Sequence, residues 1–169
     1  MNADAHSNRR SHHPAETAGW HLVERVPLAR SDETAGEVIA RLPGHAYDYA
    51  GTVYLADEGR RLLGAIPLPA LLKASPGTPI VDLSESARAV HAEMDQEHIA
   101  SHAIRHNMSA VPVTDAHGVL LGVVPPMVLL EVLRVHLQRR ALGYALLGYG
   151  RDDLEDFFWA LYSVAASLT

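Results

Sequence analysis

The sequence predicts an α+β (mixed α/β) fold of two β-α-β-β-α repeats with pseudo-twofold symmetry, followed by a C-terminal helical extension. Three observations lead to this prediction: an internal repeat, an amphipathic helix ahead of each copy, and a strongly apolar run near the end of the chain. The 169 residues suffice for two small domains that pack together. Hydrophobic residues make up 48% of the chain and charged residues 20%, which is typical of a globular protein with a substantial core.

The internal repeat relates two stretches of the chain without a gap. Residues 52–72 read TVYLADEGRRLLGAIPLPALL, and residues 110–130 read AVPVTDAHGVLLGVVPPMVLL. The second stretch follows the first at a constant offset of 58 positions, as from Val53 to Val111. A match of this length predicts that both stretches fold into the same unit. The coinciding pairs include Asp57 with Asp115, Leu62-Leu63-Gly64 with Leu120-Leu121-Gly122, Pro67 with Pro125, and Leu71-Leu72 with Leu129-Leu130.

Each copy has the pattern of a β-hairpin followed by a short helix. An apolar run leads into a polar turn that carries Asp57 in one copy and Asp115 in the other, and a second apolar run follows. A proline then opens a helix, where its missing N–H is tolerated. The predicted strands are 52–55 and 62–66 in the first copy and 110–113 and 119–124 in the second, and the predicted closing helices are 68–73 and 127–136.

An amphipathic helix is predicted ahead of each hairpin, and an extended segment ahead of each helix. The expected N-cap is Ser31 or Asp32 in the first copy and Asp95 in the second. The extended segments cover residues 22–28 and 87–92. The apolar residues at helical spacing are Val38, Ile39 and Leu42 in the first copy and Ile99, Ala100, Ala103 and Ile104 in the second.

These elements divide the chain into a disordered N-terminal tail at 1–19, repeats at 20–80 and 81–137, and a helical extension at 138–169. The tail has no hydrophobic run, so it lacks the apolar middle of a secretory signal. No apolar stretch reaches the roughly 18 residues that a membrane-spanning helix requires. Within the extension, residues 152–169 (DDLEDFFWALYSVAASLT) are apolar nearly all round, which indicates a helix buried against the repeats, a second subunit or a membrane.

Charge and composition exclude several classes of function. The net charge of -6 argues against a nucleic-acid partner, which would require a basic face to neutralise phosphates. The chain has no cysteine, which excludes disulfides, thiolate metal sites and cysteine nucleophiles. No nucleophile elbow, zinc-hydrolase motif or phosphate-binding glycine loop occurs, so we expect no catalytic residues and no enzyme activity.

The repeated motif resembles the CBS domain, a family named for cystathionine β-synthase whose members normally occur as intramolecular pairs (Bateman modules). The resemblance lies in a helix followed by Ala-Val-Pro-Val, Asp, Gly, Leu-Leu-Gly-Val-Val and a closing Leu-Leu helix, over about residues 20–137. The segments DQEHIASHAIRHNMSAVPVTDAHGVLLGVV (95–124) and LLKASPGTPIVDL (71–83) are similar to the cytosolic CBS region of MgtE-type magnesium transporters. The resemblance implies a tandem CBS pair in the cytoplasm or at the cytosolic face of a membrane.

The resemblance also implies a ligand cleft between the copies, which in many members holds an adenine nucleotide. The family's Ser/Thr that meets the phosphate falls on Pro67 and Pro125, and its ribose-binding Asp falls on Ala70 and Val128. Without those groups a nucleotide loses about 1–3 kcal/mol for each unpaired polar group, so a packed cleft and a weak nucleotide site both stay open. The nucleotide-binding candidates are Thr52, Val53, Ala110, Val111, Pro112 and Pro125.

A histidine series on the second amphipathic helix gives a candidate metal site at Asp95, His98 and His102. The i, i+4 spacing of the two histidines puts them on one helix face, as a metal site requires, although a solvated, pH-sensitive face has the same spacing. Magnesium prefers oxygen ligands. The acidic candidates for that ion are Asp57, Glu58, Asp82, Glu85, Glu93, Asp95 and Glu97.

The function implied by the resemblance is regulation. Binding of magnesium or an adenine nucleotide would change the angle between the two copies and control a membrane transporter domain or another partner. We expect a homodimer, because members of the family often dimerise through their helices. Two alternatives stay open: a structural dimerisation module without a ligand, and a small-molecule binding protein that acts alone.

Overall fold

The computed structural model describes residues 16–147, in which strands and helices alternate in the predicted order. The two hairpins and the closing helix of the first repeat lie where the sequence predicts them. The described elements are α1 (Ala18–His21), β1 (Leu28–Ala29), α2 (Ala35–Arg41), β2 (Thr52–Ala56), β3 (Leu62–Pro67), α3 (Leu68–Lys73), a 3-10 helix (Ile80–Leu83), β4 (Val90–His91), α4 (Gln96–Arg105), β5 (Val111–Thr114), β6 (Leu120–Val124) and α5 (Pro126–Leu147).

The strands form two three-stranded sheets with the same topology, ordered β1-β2-β3 and β4-β5-β6. In each sheet the short first strand is parallel to the second, and the second and third strands form an antiparallel hairpin. Even the register shift occurs at equivalent places, between Leu55 and Ala56 and between Val113 and Thr114. The two copies of the sequence repeat therefore adopt one fold, as predicted.

The two hairpins meet at a pseudo-twofold contact between repeat-equivalent residues. Arg61 forms an isolated antiparallel bridge with Val119, which is its own counterpart at the offset of 58. The Leu62 N–H donates to the Gly118 carbonyl over 3.0 Å, and the Leu120 N–H donates to the Arg60 carbonyl over 2.9 Å. Exchanging the two copies converts the first bond into the second. The predicted pseudo-twofold relation is thus visible in the hydrogen bonds.

The segment that leads into each repeat crosses to the sheet of the other repeat. Val23 pairs with Val123 of β6 through two backbone hydrogen bonds of 2.8 and 2.9 Å. Glu85 pairs in the same way with Ala65 of β3, through two bonds of 2.9 Å. Each repeat therefore holds the entry segment of its neighbour, and the two repeats form one interlocked body.

The repeated Leu-Leu-Gly motif is explained by this crossing. A Cβ atom built on Gly122 would lie 2.3 Å from the Val23 carbonyl oxygen, and one built on Gly64 would lie 3.0 Å from the Glu85 carbonyl oxygen and 1.9 Å from Ser84 Oγ. Real Cβ atoms essentially never lie within 3.0 Å of another atom, so a side chain at Gly122 would push the crossing segment away. A side chain at Gly64 would require the Ser84 hydroxyl to rotate and would still lie tight against the Glu85 carbonyl. Both copies require glycine because another backbone approaches at that point.

Three hydrophobic clusters account for the packing. Each repeat has its own core, in which Val53 and Val111 are fully buried at equivalent positions. The third cluster joins the two sheets. Its buried members are Val26, Tyr54, Ala110, Leu120 and Val123, with Val23, Leu28, Tyr49, Leu62 and Ala65 packed against them.

The predicted N-cap of the first helix is wrong, because helix α2 begins after Thr34 and not after Ser31 or Asp32. Thr34 and Glu37 form a capping box in which the Glu37 carboxylate accepts from the Thr34 N–H over 2.8 Å. The Thr34 hydroxyl accepts from the Glu37 N–H over 3.4 Å. These reciprocal bonds satisfy two donors that the helix start leaves unpaired.

The second amphipathic helix begins where predicted. The Asp95 carboxylate accepts from the Glu97 N–H over 2.8 Å and so caps α4. Ile99, Ala100 and Ala103 are buried, but Ile104 is 46% exposed and does not belong to the core face as the sequence indicated. Helix α4 packs on α5, and the contact uses the Ile99 side of the helix.

The start of the first repeat differs from the prediction. Residues 16–19 were assigned to a disordered tail, but the Ala18 and Gly19 N–H groups donate to the Met94 and Ala92 carbonyls over 2.8 Å. Of the extended segment predicted at 22–28, Val23 forms its bridge and Leu28 begins β1. The remainder of the predicted tail, residues 1–15, lies outside the described residues.

The last helix is longer than predicted. Helix α5 begins at Pro126 and continues to Leu147, so it passes both the predicted end at His136 and the predicted domain boundary at 137. Residues 137–147 are mostly strong helix formers such as Gln, Arg, Ala and Leu, and nothing in them forces the helix to stop. The apolar run predicted at 152–169 lies outside the described residues.

Candidate functional site

A cleft of about 550 Å³ lies between the two repeats. We call it the inter-repeat cleft. At four positions of the repeat, the residue from each copy lines the cleft, and the two residues are 58 positions apart in the sequence. The paired wall residues are Tyr49 with Asn107, Gly51 with Ser109, Thr52 with Ala110, and Tyr54 with Pro112.

The structure brings three of the six nucleotide-binding candidates into this cleft: Thr52, Ala110 and Pro112. Val53 and Val111 are fully buried in the cores of their own repeats and do not line this cleft. The reason is the alternation of side chains along a strand, which turns every second residue to the opposite face. Alternate residues such as Tyr54 share the face of Thr52, whereas consecutive residues such as Thr52 and Val53 lie on opposite faces.

The two prolines at the family's Ser/Thr position are not equivalent in the structure. Pro67 lines the inter-repeat cleft at the junction of β3 and α3. Pro125, which was the nucleotide-binding candidate, is not among the cleft residues. The two copies therefore contribute their strand ends differently to this cleft, and a role of Pro125 in nucleotide binding stays a prediction.

The crossing segment and the turn after α4 supply a polar side of the cleft, of which the sequence analysis named only Glu85, as a magnesium candidate. The polar residues from these two segments are Glu85, Ser86, Arg88, His106, Asn107 and Ser109. The Tyr49 hydroxyl lies 3.4 Å from Ser109 Oγ, which joins the two walls. The crossing of residues 84–88 to the first sheet places Glu85, Ser86 and Arg88 here.

The cleft has one carboxylate, Glu85, and one guanidinium, Arg88, among its wall residues. Arg88 is exposed, and no ion pair joins it to a carboxylate within residues 16–147. Desolvation, followed by the charge of Arg88, lowers the pKa of His106 below its ordinary value. Burial raises the pKa of the Tyr54 phenol, so that this wall residue stays neutral and can donate a hydrogen bond.

The candidate metal residues do not gather at one point. His98 Nδ1 lies 3.9 Å from the Asp95 carboxylate, whereas His102 Nε2 lies 3.1 Å from the Arg88 carbonyl oxygen. The rings of His102 and His106 meet edge to face at 4.5 Å. In the described part of the chain, no group of three or more His, Asp or Glu side chains is arranged to hold a metal ion, and this includes the acidic candidates.

Comparisons with known proteins place the chain among relatives of magnesium transporters. No family model matches the chain. It is 32% identical over 126 residues to the magnesium transporter MgtE of Enterococcus faecalis, a match that covers 72% of this chain and 28% of the transporter. The chain spans about a quarter of the length of the curated relatives it matches. Within residues 16–147, no helix is long and apolar enough to cross a membrane.

Solved structures of similar proteins have the same fold as this chain. The crystal structure of the cytosolic domain of the Mg²⁺ channel MgtE in complex with ATP has a TM-score of 0.72 and 25% identity, covering 76% of this chain and 53% of that chain. A cystathionine β-synthase pair domain from Shewanella oneidensis has a TM-score of 0.69 and 21% identity, covering 81% and 82% of the two chains. The chain is a tandem CBS-domain protein, similar in sequence and fold to the cytosolic region of MgtE-type magnesium transporters.

Proposed function

We propose that this chain is a cytosolic regulatory module of magnesium transport that binds an adenine nucleotide in the inter-repeat cleft and thereby controls an attached or partner transporter domain. The observation that supports the proposal is the cleft itself, which has walls from both repeats. Its volume of about 550 Å³ lies within the range of small-molecule sites. The similar MgtE domain was crystallised in complex with ATP.

The chemistry of the cleft suits a nucleotide. Pro67, Leu68 and Pro112 offer flat apolar surfaces for a purine base. Glu85 supplies a carboxylate that can accept from ribose hydroxyls, a role for which the sequence alone offered no residue. Thr52 adds a hydroxyl at the same wall. These groups replace the Ser/Thr and Asp that the family pattern would place at Pro67 and Ala70.

The regulatory mechanism follows from the shared walls. A ligand that contacts both Thr52 of one repeat and Ala110 of the other has different contacts when the angle between the repeats changes. It therefore has different affinities for the two arrangements, and that difference is the free energy available for control.

The binding step is tested by thermal unfolding of the full chain in the presence of ATP, ADP, AMP or Mg²⁺ alone. At a hundredfold excess over Kd, a nucleotide should stabilise the chain by about 2.7 kcal/mol and raise its Tm by about 5 °C or more. Ser109→Trp should fill the exposed rim of the cleft and abolish binding, and Ser101→Trp, on the exposed face of α4, should not. Stabilisation by Mg²⁺ alone, or by no ligand at millimolar concentration, would contradict the proposal.

The regulatory step is tested by a distance measurement between the repeats. Lys73 and Glu131 are exposed at equivalent positions on α3 and α5, and the absence of native cysteine allows specific spin labels at K73C and E131C. The inter-label distance, measured with labelled chain diluted into unlabelled chain, should shift when the nucleotide binds. If the nucleotide binds and the inter-label distance does not change, the chain is a nucleotide-binding protein and the proposed regulatory motion is wrong.

A second candidate, a dimerisation module, is favoured by apolar side chains on the closing helices. Leu72 on α3 and Leu130 on α5 occupy equivalent positions and are 60% and 56% exposed, and Met127 is 75% exposed. We propose that a second copy covers them in a homodimer. Sedimentation equilibrium should show a dimer that Leu72→Gln with Leu130→Gln converts to a monomer. A wild-type monomer at high concentration would contradict this.

A further inference from the structure

The Tyr49 side chain contacts both walls of the inter-repeat cleft. A Cβ atom built on Gly51 would lie 2.8 Å from Tyr49 Cζ, 3.1 Å from Cε2 and closer still to the hydroxyl oxygen, so the outer edge of the ring occupies the place of a Gly51 side chain. The same hydroxyl lies 3.4 Å from Ser109 Oγ on the other wall. Gly51 and Ser109 are equivalent positions of the two repeats. Tyr49 therefore extends from one wall position to its own counterpart.

The Tyr49 ring also packs near the most deeply buried wall residues. It lies against the hydrophobic cluster that joins the two sheets, and Tyr54 and Ala110 belong both to this cluster and to the cleft wall. Burial, followed by the neighbouring Tyr49, raises the pKa of the Tyr54 phenol, which indicates that the two phenols are close. Tyr54 is 1% exposed and Ala110 is 6% exposed. With Tyr49 in this position, a ligand cannot reach these two wall residues.

The glycine at position 51 makes room for the ring. Its φ is not among the positive φ angles of the chain, so the backbone at Gly51 does not itself require glycine. The three atoms nearest to a built Cβ all belong to Tyr49. In the second repeat, Asn107 and Ser109 stand at the two equivalent positions. The aromatic ring over a bare backbone is thus a feature of one copy, and it is not required by the shared fold.

We propose that Tyr49 is a side-chain gate of the inter-repeat cleft. In the closed position it fills the space between Gly51 and Ser109, and it rotates away before a ligand contacts both walls. Rotation of a single side chain is fast, so the gate controls the fraction of chains that are open and not the rate of opening. The apparent affinity of any ligand is reduced by that fraction. The gate concerns access to the cleft and does not depend on the chemical class of the ligand.

The experiment measures how fast iodoacetamide modifies a single thiol placed behind the gate. The chain has no native cysteine, so Ala110→Cys supplies the one reactive group. Adding Tyr49→Ala should accelerate the modification about tenfold, because the hydroxyl contact with Ser109 and the packing of the ring are both lost. Adding Tyr49→Phe removes only the hydroxyl contact and should accelerate it about two- to threefold.

Gly51→Ala is the sharper variant, because it leaves the aromatic side chain in the protein. The new methyl group takes the place of the ring edge and should hold Tyr49 in its rotated position. The thiol of Ala110→Cys should then react about tenfold faster, as with Tyr49→Ala. The matched control is Ala100→Cys, since Ala100 is a buried alanine of α4, 3% exposed, that does not line the cleft. Its modification rate should not change with any of the three variants.

The outcomes are distinct from those that test the proposed function. Unchanged modification at Ala110→Cys in both Tyr49→Ala and Gly51→Ala would overturn the gate, even if ATP binds. Equal acceleration at Ala110→Cys and Ala100→Cys would also overturn it, because unfolding of the chain would then expose both thiols. Acceleration confined to Ala110→Cys would uphold the gate, even if no nucleotide binds in the cleft.

Discussion

Replacing Gly122 by alanine tests the interlocked arrangement of the two repeats directly. The new Cβ would lie 2.3 Å from the Val23 carbonyl oxygen, 2.8 Å from Leu22 Cδ1 and 3.1 Å from the Val23 carbonyl carbon. Two of these three atoms belong to the backbone, so a side-chain rotation cannot relieve the contact. The crossing segment must move away from β6, and its two hydrogen bonds between Val23 and Val123 must lengthen or break.

The size of the effect follows from these contacts. Two backbone hydrogen bonds contribute about 1 kcal/mol each, and overpacking in a filled site costs about 1–3 kcal/mol. The lower entropy of the unfolded alanine chain offsets about 0.5–1 kcal/mol. The structural cost therefore exceeds the entropic gain, and Gly122→Ala should lower the free energy of unfolding by about 2–4 kcal/mol. For a chain of this length that corresponds to a Tm lower by about 5–15 °C.

Urea unfolding followed by circular dichroism measures this free energy, and two further glycines provide a graded comparison. At Gly64 the contact at 1.9 Å is with the Ser84 hydroxyl, which can rotate away and leave only the 3.0 Å approach of the Glu85 carbonyl. Gly64→Ala should thus cost about 1 kcal/mol. Gly77 has no atom within 4 Å of a built Cβ, so Gly77→Ala should cost nothing. If Gly122→Ala and Gly77→Ala unfold within about 0.5 kcal/mol of each other, the crossing segment is not where we place it.

Two other predictions concern acid stability and turn geometry. The Glu33 side chain is 10% exposed, and its ion pair with Arg41 holds the pKa of its carboxyl below the usual 4.5. This contribution to stability is present above about pH 4.5 and is lost as pH falls through the lower pKa of the folded state. Glu33→Gln should therefore unfold at a lower urea concentration than the wild type at pH 7, and should lose less stability between pH 5 and pH 3. An unchanged pH dependence of stability would refute the role of the Glu33–Arg41 ion pair. Gly118 has φ of +79°, and Arg60, at the equivalent turn position, has φ of +60°. Gly118→Ala should therefore destabilise the chain by about 1 kcal/mol and lower its Tm, whereas Arg60→Gly should not lower it. If thermal unfolding shows the same decrease in Tm for both variants, the two turns do not share this geometry.

The internal repeat made most of the fold predictable, because the residues that coincide in the two copies stabilise the same local backbone conformation in each copy. Asp57 accepts from the Arg61 N–H over 2.8 Å, and Asp115 accepts from the Val119 N–H over 2.9 Å, so the same residue closes the same turn twice. Hydrophobic alternation then located the strands. A pattern tied to local backbone geometry is visible in a single sequence.

Features decided by tertiary contacts were not predictable in the same way. Ser31, Asp32 and Thr34 are all competent N-caps, and the choice of Thr34 is set partly by the neighbouring loop, which accepts the Ala35 N–H at the Thr78 carbonyl. The polar half of the cleft comes from residues 84–88, which the sequence assigns to no element of the first repeat. Their place depends on a crossing that hydrophobic periodicity does not reveal.

Positions with the same residue in both copies and positions with different residues have different roles in the structure. Residues that are the same in both copies serve the shared backbone: buried valine in each core, aspartate in each turn, glycine under each crossing segment. The four paired wall positions of the cleft, in contrast, are all occupied by different residue types. Leu72 and Leu130 fit neither group, since they are identical but both remain more than half exposed. An apolar side chain that no core or turn requires, yet which occurs at both equivalent positions, is accounted for when a second copy of the chain buries it, and this supports the proposed dimer independently of the ligand.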